Sequence, residues 1–162
     1  MVILYSNNMT ALQGEKWRRI SVLDRSSIDI PICEQTVIDS LLSDLTKNQD
    51  IEAIYLYGSY VRSEQKPYSD IDIAVVTRSS HPSRPLREHI GSYGSKILDI
   101  QVFSDLPLPA QMQVITQGVP LYIGNPEFVR ELIRSITLTY MDLEPMRNRW
   151  RRRLLGGTNA VF

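Results

Sequence analysis

The residues with the clearest potential for chemistry are a Gly-Ser pair and three aspartates. Gly58-Ser59 follows an apolar run, and Asp70 and Asp72 come after a further stretch of polar residues. Because side chains alternate between the two faces of a strand, Asp70 and Asp72 project from one side of the strand that they begin. Asp99 lies in a later strand-like run and can also leave the core on one face. Carboxylate oxygens are preferred ligands of Mg²⁺, so three aspartates on adjacent strands predict a two-metal site.

The Gly-Ser pair and a nearby arginine are suited to binding an anion at the same place. Glycine lets a phosphate approach the backbone, exposed N–H groups can bind it, and the Ser59 hydroxyl adds a donor to those of Gly58. Arg62 follows about one helical turn later and can contact a β- or γ-phosphate, with a surface ion pair as the alternative. Tyr55 and Tyr57 share a strand face, where they either stack on a base or pack in the core.

Composition excludes several other kinds of chemistry. Lys plus Arg and Asp plus Glu are 18 each in 162 residues, so no overall field directs the chain to nucleic acid or anionic membrane. The single cysteine, Cys33, excludes an intramolecular disulfide and a thiolate zinc site. No apolar stretch approaches the ~20 residues of a membrane-spanning helix. No secretory leader pattern opens the chain, and we therefore expect a cytoplasmic protein.

Hydrophobic periodicity and turn residues predict alternating helices and strands that would position these side chains. We expect helices over residues 34–47, 87–93 and 107–117, and strands over 51–57, 70–77, 96–103 and 121–123. The last forty residues have an apolar residue at every fourth position and are predicted to be helical, with Pro145 either starting a new helix or kinking the existing one.

The chain is predicted to form one α/β domain with a helical tail. Residues 1–30 lack a clear period, and we interpret them as an N-terminal extension such as a hairpin on the edge of the domain. Residues 31–162 form the domain itself, including C-terminal helices over 125–155. At 43% hydrophobic residues, the chain can bury one sizeable core.

The segment from Tyr57 to Val75, with Gly-Ser, ten residues and then Asp-x-Asp, resembles the signature of the DNA polymerase β-like nucleotidyltransferase superfamily. The chain length, the position of Asp99 and the C-terminal part are similar to the minimal nucleotidyltransferase (MNT) branch, whose antitoxins pair with HEPN-domain toxins. The resemblance covers roughly residues 34–155. Ser63 departs from the pattern, because many relatives have glycine after the arginine.

The resemblance implies a fold, an activity and a partner. It implies a small mixed β-sheet with helices packed on one face, the metal site on the exposed face, and a C-terminal helical tail. The implied activity is Mg²⁺-dependent transfer of AMP from ATP to a hydroxyl, of tyrosine in particular, on a HEPN ribonuclease toxin, which silences it. Asp70 and Asp72 would bind metal, and Asp99 would complete the site and assist deprotonation of the acceptor. Gly58 and Ser59, with Arg62, would hold the triphosphate.

The C-terminal tail has five arginines between residues 147 and 153, and three interpretations stay open. They can form the solvated face of a terminal helix or an arm for nucleic acid, which the balanced net charge makes less favourable. Met146, Trp150 and Leu154 form an apolar stripe bordered by arginine, a composition typical of protein interfaces. We favour this third interpretation, because an antitoxin must bind a protein.

Two other functions remain compatible with the same residues. The chain could inhibit a toxin by binding alone, with a metal site that is vestigial or structural. It could instead modify a small hydroxylated molecule, although relatives with that activity usually carry a larger second domain to hold the acceptor. The sequence does not identify the nucleobase or the number of nucleotides transferred.

Overall fold

A computed structural model describes residues 32–62 and 69–155 of the chain. Their elements, in chain order, are α1 (Ile32–Leu45), β1 (Ile51–Tyr57), β2 (Ile71–Thr77), α2 (Arg84–Gly91), β3 (Leu98–Val102), a single 3₁₀ turn (Phe103–Asp105), α3 (Leu108–Gln117), β4 (Val119–Ile123) and α4 (Pro126–Leu155). The predicted elements are all present, with boundaries displaced by up to three residues. The predictions for residues 1–30 and for Ser63 lie outside the described residues.

The four strands form one mixed sheet in the order β3-β2-β1-β4. β1 pairs antiparallel with both β2 and β4, whereas β2 pairs parallel with β3. All seven residues of β1 are buried, which is the pattern of a strand covered on both faces. Among the described residues, β2 has a strand on each side, whereas β3 has a strand partner on one side only.

Helices cover both faces of the sheet, not the single face that the family resemblance implied. α1 and α2 pack on one face through residues such as Leu41 and Ile90. α3 and the first half of α4 pack on the other face, with Val114 and Val129 buried there. The physical reason is that β1 and β2 carry apolar side chains on both faces, so both need cover. The mixed α/β fold itself is confirmed.

α4 is one continuous helix of 30 residues that runs through Pro145. At 1.5 Å per residue it is about 45 Å long, more than the sheet can cover. Its first half packs against the sheet with Phe128, Leu132 and Ile136. Its second half leaves large apolar side chains exposed, including Trp150 at 61%. Within the described ranges, no helix is long and apolar enough to cross a membrane.

Candidate active site

Two of the predicted aspartates stand side by side on parallel strands. Asp72, the second residue of β2, pairs in register with Asp99 of β3. On the other side of Asp72, its partner in β1 is Tyr57. Because partners on neighbouring strands lie about 4.8 Å apart and point to the same face, Tyr57, Asp72 and Asp99 form one row across three strands. This row lies on the sheet face that α3 and α4 cover only in part, and Asp99 is exposed there.

Gly58, which directly follows β1, borders the site in a turn whose backbone conformation favours glycine. Its φ is +81°, a conformation that residues with a side chain rarely adopt. A Cβ added at Gly58 would lie 1.9 Å from Oδ2 of Asp72, so the main chain is packed directly against that carboxylate. The Gly-Ser pair and the Asp-x-Asp motif, twelve positions apart from Gly58 to Asp70, thus meet in space.

Burial, together with the neighbouring carboxylates, raises the pKa of Asp72 to about 6 from an ordinary value of 3.8. Burial is the largest cause, followed by the negative charges of Asp99 and Asp70, while Arg62 acts in the opposite direction. The pKa of Tyr57 rises to about 12 for the same reasons, burial first and then the charges of Asp72 and Asp99. Burial and the neighbouring negative charges thus both favour the neutral forms of Asp72 and Tyr57.

The remaining predicted site residues border this row. Asp70 is exposed and comes immediately before β2, and Ser59 is half-buried in the turn that follows β1. Arg62 is exposed at the end of the same turn, near enough to Asp72 to favour its ionised form. The structure thus brings Asp72, Asp99 and Gly58 together, with the other three at the margin.

The donor set suits a hard divalent cation that arrives with a ligand of its own. In the described part of the chain, no three His, Cys, Asp or Glu side chains are already arranged to enclose an ion. Mg²⁺, however, is usually held by one or two carboxylates, with waters and substrate phosphates as its other ligands. Asp72 and Asp99, in register and mutually repelling, fit that pattern, with Asp70 as a further carboxylate at the margin.

Three further residues lie near the carboxylates: two tyrosines with two interpretations open, and one glutamine that the sequence analysis did not single out. Tyr55 and Tyr57 are both buried in the core on the face toward α3, so core packing and not base stacking is correct for them. Tyr57 nevertheless lies directly beside Asp72, as its partner in β1. Gln101 donates a hydrogen bond from Nε2 to Oδ2 of Asp99 at 2.6 Å. Its position two residues after Asp99 in the same strand was the available signal.

The predicted partner-binding residues lie on the second half of α4. Met146 and Trp150 are exposed and lie four residues apart, hence on one face of the helix. Leu154 belongs to the last turn of the same helix. Arg147 is held within the helix, because it forms an ion pair with Glu144 and lies 3.5 Å above the ring of Tyr140. It is therefore less available to a partner than the arginine count suggests.

Comparison with known proteins defines the class. The family model "Polymerase beta, Nucleotidyltransferase" matches residues 39–127, which include the whole sheet and all three aspartates. The chain belongs to this nucleotidyltransferase family, and the superfamily resemblance of the Gly-Ser and Asp-x-Asp motifs is confirmed.

Particular proteins are similar to this chain in sequence or in fold. A Methanocaldococcus jannaschii protein, whose name describes it as a candidate protein adenylyltransferase, is 41% identical over 93 residues, which are 56% of this chain and 70% of that protein. A solved toxin–antitoxin structure with AMP-PNP superposes with a TM-score of 0.58 at 25% identity, over 75% of this chain and 98% of that one. A chain of the solved complex between a tri-AMPylated Shewanella oneidensis HEPN toxin and an MNT antitoxin gives a TM-score of 0.54 at 23% identity, over 76% of this chain and 97% of the matched chain.

Proposed function

We propose that this chain is an antitoxin that transfers AMP from ATP to a hydroxyl, of tyrosine in particular, on a cognate HEPN ribonuclease toxin in a Mg²⁺-dependent reaction. The observation that carries the proposal is the pairing of Asp72 with Asp99 beneath the glycine turn. A half-buried carboxyl that repels its neighbour is costly unless a cation binds there. The nucleotide would supply both the cation and the phosphates that the Gly58-Ser59 turn can accept.

Each residue then has a distinct task in the transfer. The acceptor oxygen forms a bond to the α-phosphorus as the bond to pyrophosphate breaks, and pyrophosphate leaves. Asp99, exposed on β3, takes the proton of the acceptor hydroxyl and passes it to solvent. The main-chain N–H groups of the turn and the Ser59 hydroxyl bind the triphosphate, and Arg62 offsets its charge. Asp70, Asp72 and Asp99 would hold Mg²⁺, which supplies neutralisation of phosphate charge when bound.

Relatives support the choice of AMP and of a protein acceptor. The M. jannaschii relative carries an adenylyltransferase name, and the structure at 25% identity was obtained with an ATP analogue. The Shewanella complex contains a HEPN toxin that has been AMPylated three times. These names apply to those proteins, and extending them to this chain rests on the shared fold and on the match of the Asp-x-Asp region.

The deciding experiment is the intact mass of a co-expressed cognate HEPN protein. With the wild-type chain we expect mass to be added in whole AMP units. With Asp70→Asn plus Asp72→Asn we expect none, because the site loses two carboxylates without a change of shape. Asp142→Asn, an exposed carboxylate on α4, is the matched control and should behave as wild type. Modification by the double variant at the wild-type rate would contradict the proposed mechanism.

A second candidate, inhibition by binding alone, is favoured by the exposed apolar side chains of α4. Met141 is 63% exposed and Trp150 is 61% exposed, although both are large and apolar. Such residues on a helix that extends beyond the sheet are typical of a protein interface. Under this hypothesis the double aspartate variant still neutralises the toxin, whereas Trp150→Ala with Met146→Ala does not. Toxin activity measured with each variant separates the two candidates.

A further inference from the structure

We propose that Gln101 is a positioning residue, which holds the carboxylate of Asp99 in the orientation that binds the divalent cation. The inference rests on the proposed metal-dependent function and adds to it a residue outside the Asp-x-Asp motif. It is motivated by the hydrogen bond from Nε2 of Gln101 to Oδ2 of Asp99, 2.6 Å long.

The position of Gln101 in the sheet places its side chain next to that of Asp99. Asp99 and Gln101 are two residues apart on β3, so both side chains leave the same face of the strand. The partner of Gln101 on β2 is Ala74, which is small and fully buried. A small neighbour leaves space above the sheet for the Gln101 amide to lie along the strand toward Asp99.

The carboxylate of Asp99 requires a hydrogen bond to fix its orientation, because of its position on β3. In the part of the chain that the structure describes, β3 has a strand partner on one side only and Asp99 is exposed, so close packing does not fix the side-chain torsions of Asp99. Gln101 donates a hydrogen bond to this carboxylate from the same strand. The amide engages one oxygen and leaves the other oxygen, with its lone pairs, available to a cation.

A neutral donor is better suited to this task than a charged one. Lysine or arginine at position 101 would also bind the carboxylate, but its positive charge would compete with the cation for the same site. The amide of glutamine orients Asp99 and keeps the negative charge of the row intact. Residues that orient metal ligands in this way typically change metal affinity by 10- to 100-fold when they are replaced.

The test is metal binding to the full chain, measured apart from any transfer reaction. Mn²⁺ is titrated into an equimolar mixture of the protein and a non-hydrolysable ATP analogue, and the concentration that half-broadens the β3 amide resonances is recorded. We expect Gln101→Met, which keeps the length but loses the donor, to raise this concentration roughly 10-fold. Gln101→Asn should restore part of the loss, because the amide is retained. Gln117→Met, an exposed glutamine at the end of α3, is the matched control.

Thermal unfolding of the same samples shows whether each variant is folded. The proposal would be overturned if wild type and Gln101→Met were half-broadened at the same Mn²⁺ concentration. It would also be overturned if Asp99→Asn bound Mn²⁺ as tightly as wild type does. If Gln101→Met does not fold, Gln101→Asn decides in its place. We expect its Mn²⁺ affinity to fall between that of wild type and a roughly 10-fold loss, and an affinity equal to that of wild type would overturn the proposal, because the shorter amide cannot reach Asp99 in the same geometry. A Gln101→Arg variant with undiminished Mn²⁺ binding would refute the neutral-donor argument. Failure to AMPylate a toxin would leave these binding results unaffected, so the two proposals can fail separately.

Discussion

Replacing Asp72 by asparagine should make the protein more stable at neutral and alkaline pH while removing its activity. Asp72 is half-buried between Tyr57 and Asp99, and its main-chain neighbour Gly58 lies against its carboxylate. Burial and the charges of Asp99 and Asp70 raise its pKa to about 6. Ionisation of Asp72 therefore opposes folding, and asparagine keeps the shape without the charge.

The size of the effect follows from the pKa. The pKa of Asp72 is about 6 in the folded state and 3.8 in the unfolded state. For a group fully shielded from solvent, this difference would lower the free energy of unfolding by about 3 kcal/mol when the group is ionised. Because Asp72 is partly exposed, solvent screening reduces this to about 1–1.5 kcal/mol. The folded-state pKa is raised, so the stability that the neutral carboxyl contributes is present below pH 3.8 and is lost as the pH rises through about 6.

Urea unfolding without metal, in EDTA, tests this prediction at several pH values between 4 and 8.5. We expect the free energy of unfolding of Asp72→Asn to exceed that of wild type by about 1–1.5 kcal/mol at pH 8, which corresponds to a rise of about 4 °C in Tm. This difference should shrink toward pH 4. Asp142→Asn provides the control for the loss of an exposed carboxylate. A variant that is less stable than wild type at pH 8, or a difference that does not depend on pH, would refute the electrostatic account.

Three further outcomes are expected. Gly58→Ala should abolish AMP transfer and lower the free energy of unfolding by about 2 kcal/mol, because Gly58 has a positive φ and its main chain is in contact with Asp72. The control is Gly91→Ala, whose added Cβ would meet nothing within 4 Å, and we expect it to be nearly neutral in urea unfolding. Trp150→Ala should leave Tm unchanged but weaken toxin binding at least 10-fold in calorimetry, as for an interface anchor. Mg²⁺ with an ATP analogue should raise the Tm of wild type and not of Asp72→Asn.

The strands that carry the site could be predicted because their signals are local. β1 is continuously apolar and β-branched or aromatic up to Gly58, and its predicted bounds agree with the structure. The motif spacing also located the site, since Gly58 and Asp72 flank one strand-to-strand connection. The prediction that aspartates would lie on adjacent strands is confirmed for Asp72 and Asp99.

Other features depend on contacts distant in sequence and could not be predicted in this way. The register of the parallel pairing between β2 and β3 determines which residue of β2 lies beside Asp99. This register could not be predicted, because the hydrophobic periodicity of each strand carries no information about how two strands align. Burial of the second sheet face was missed because the helical pattern of α4 was interpreted as a tail. Gln101 has no motif of its own, and its role follows only from the face it shares with Asp99.

The acidic row is a place where stability and activity oppose each other. The remainder of the sheet is closely packed, and a nonpolar residue at position 72 would suit its half-buried surroundings better than a repelled carboxyl. Asp72 is tolerable in the folded protein because a cation and a triphosphate would relieve the repulsion when they bind. Ligand binding and folding should then be coupled, and the free protein should be the less stable form. The same reasoning explains a neutral glutamine at position 101, since a permanent positive charge there would relieve the repulsion without the nucleotide and weaken that coupling.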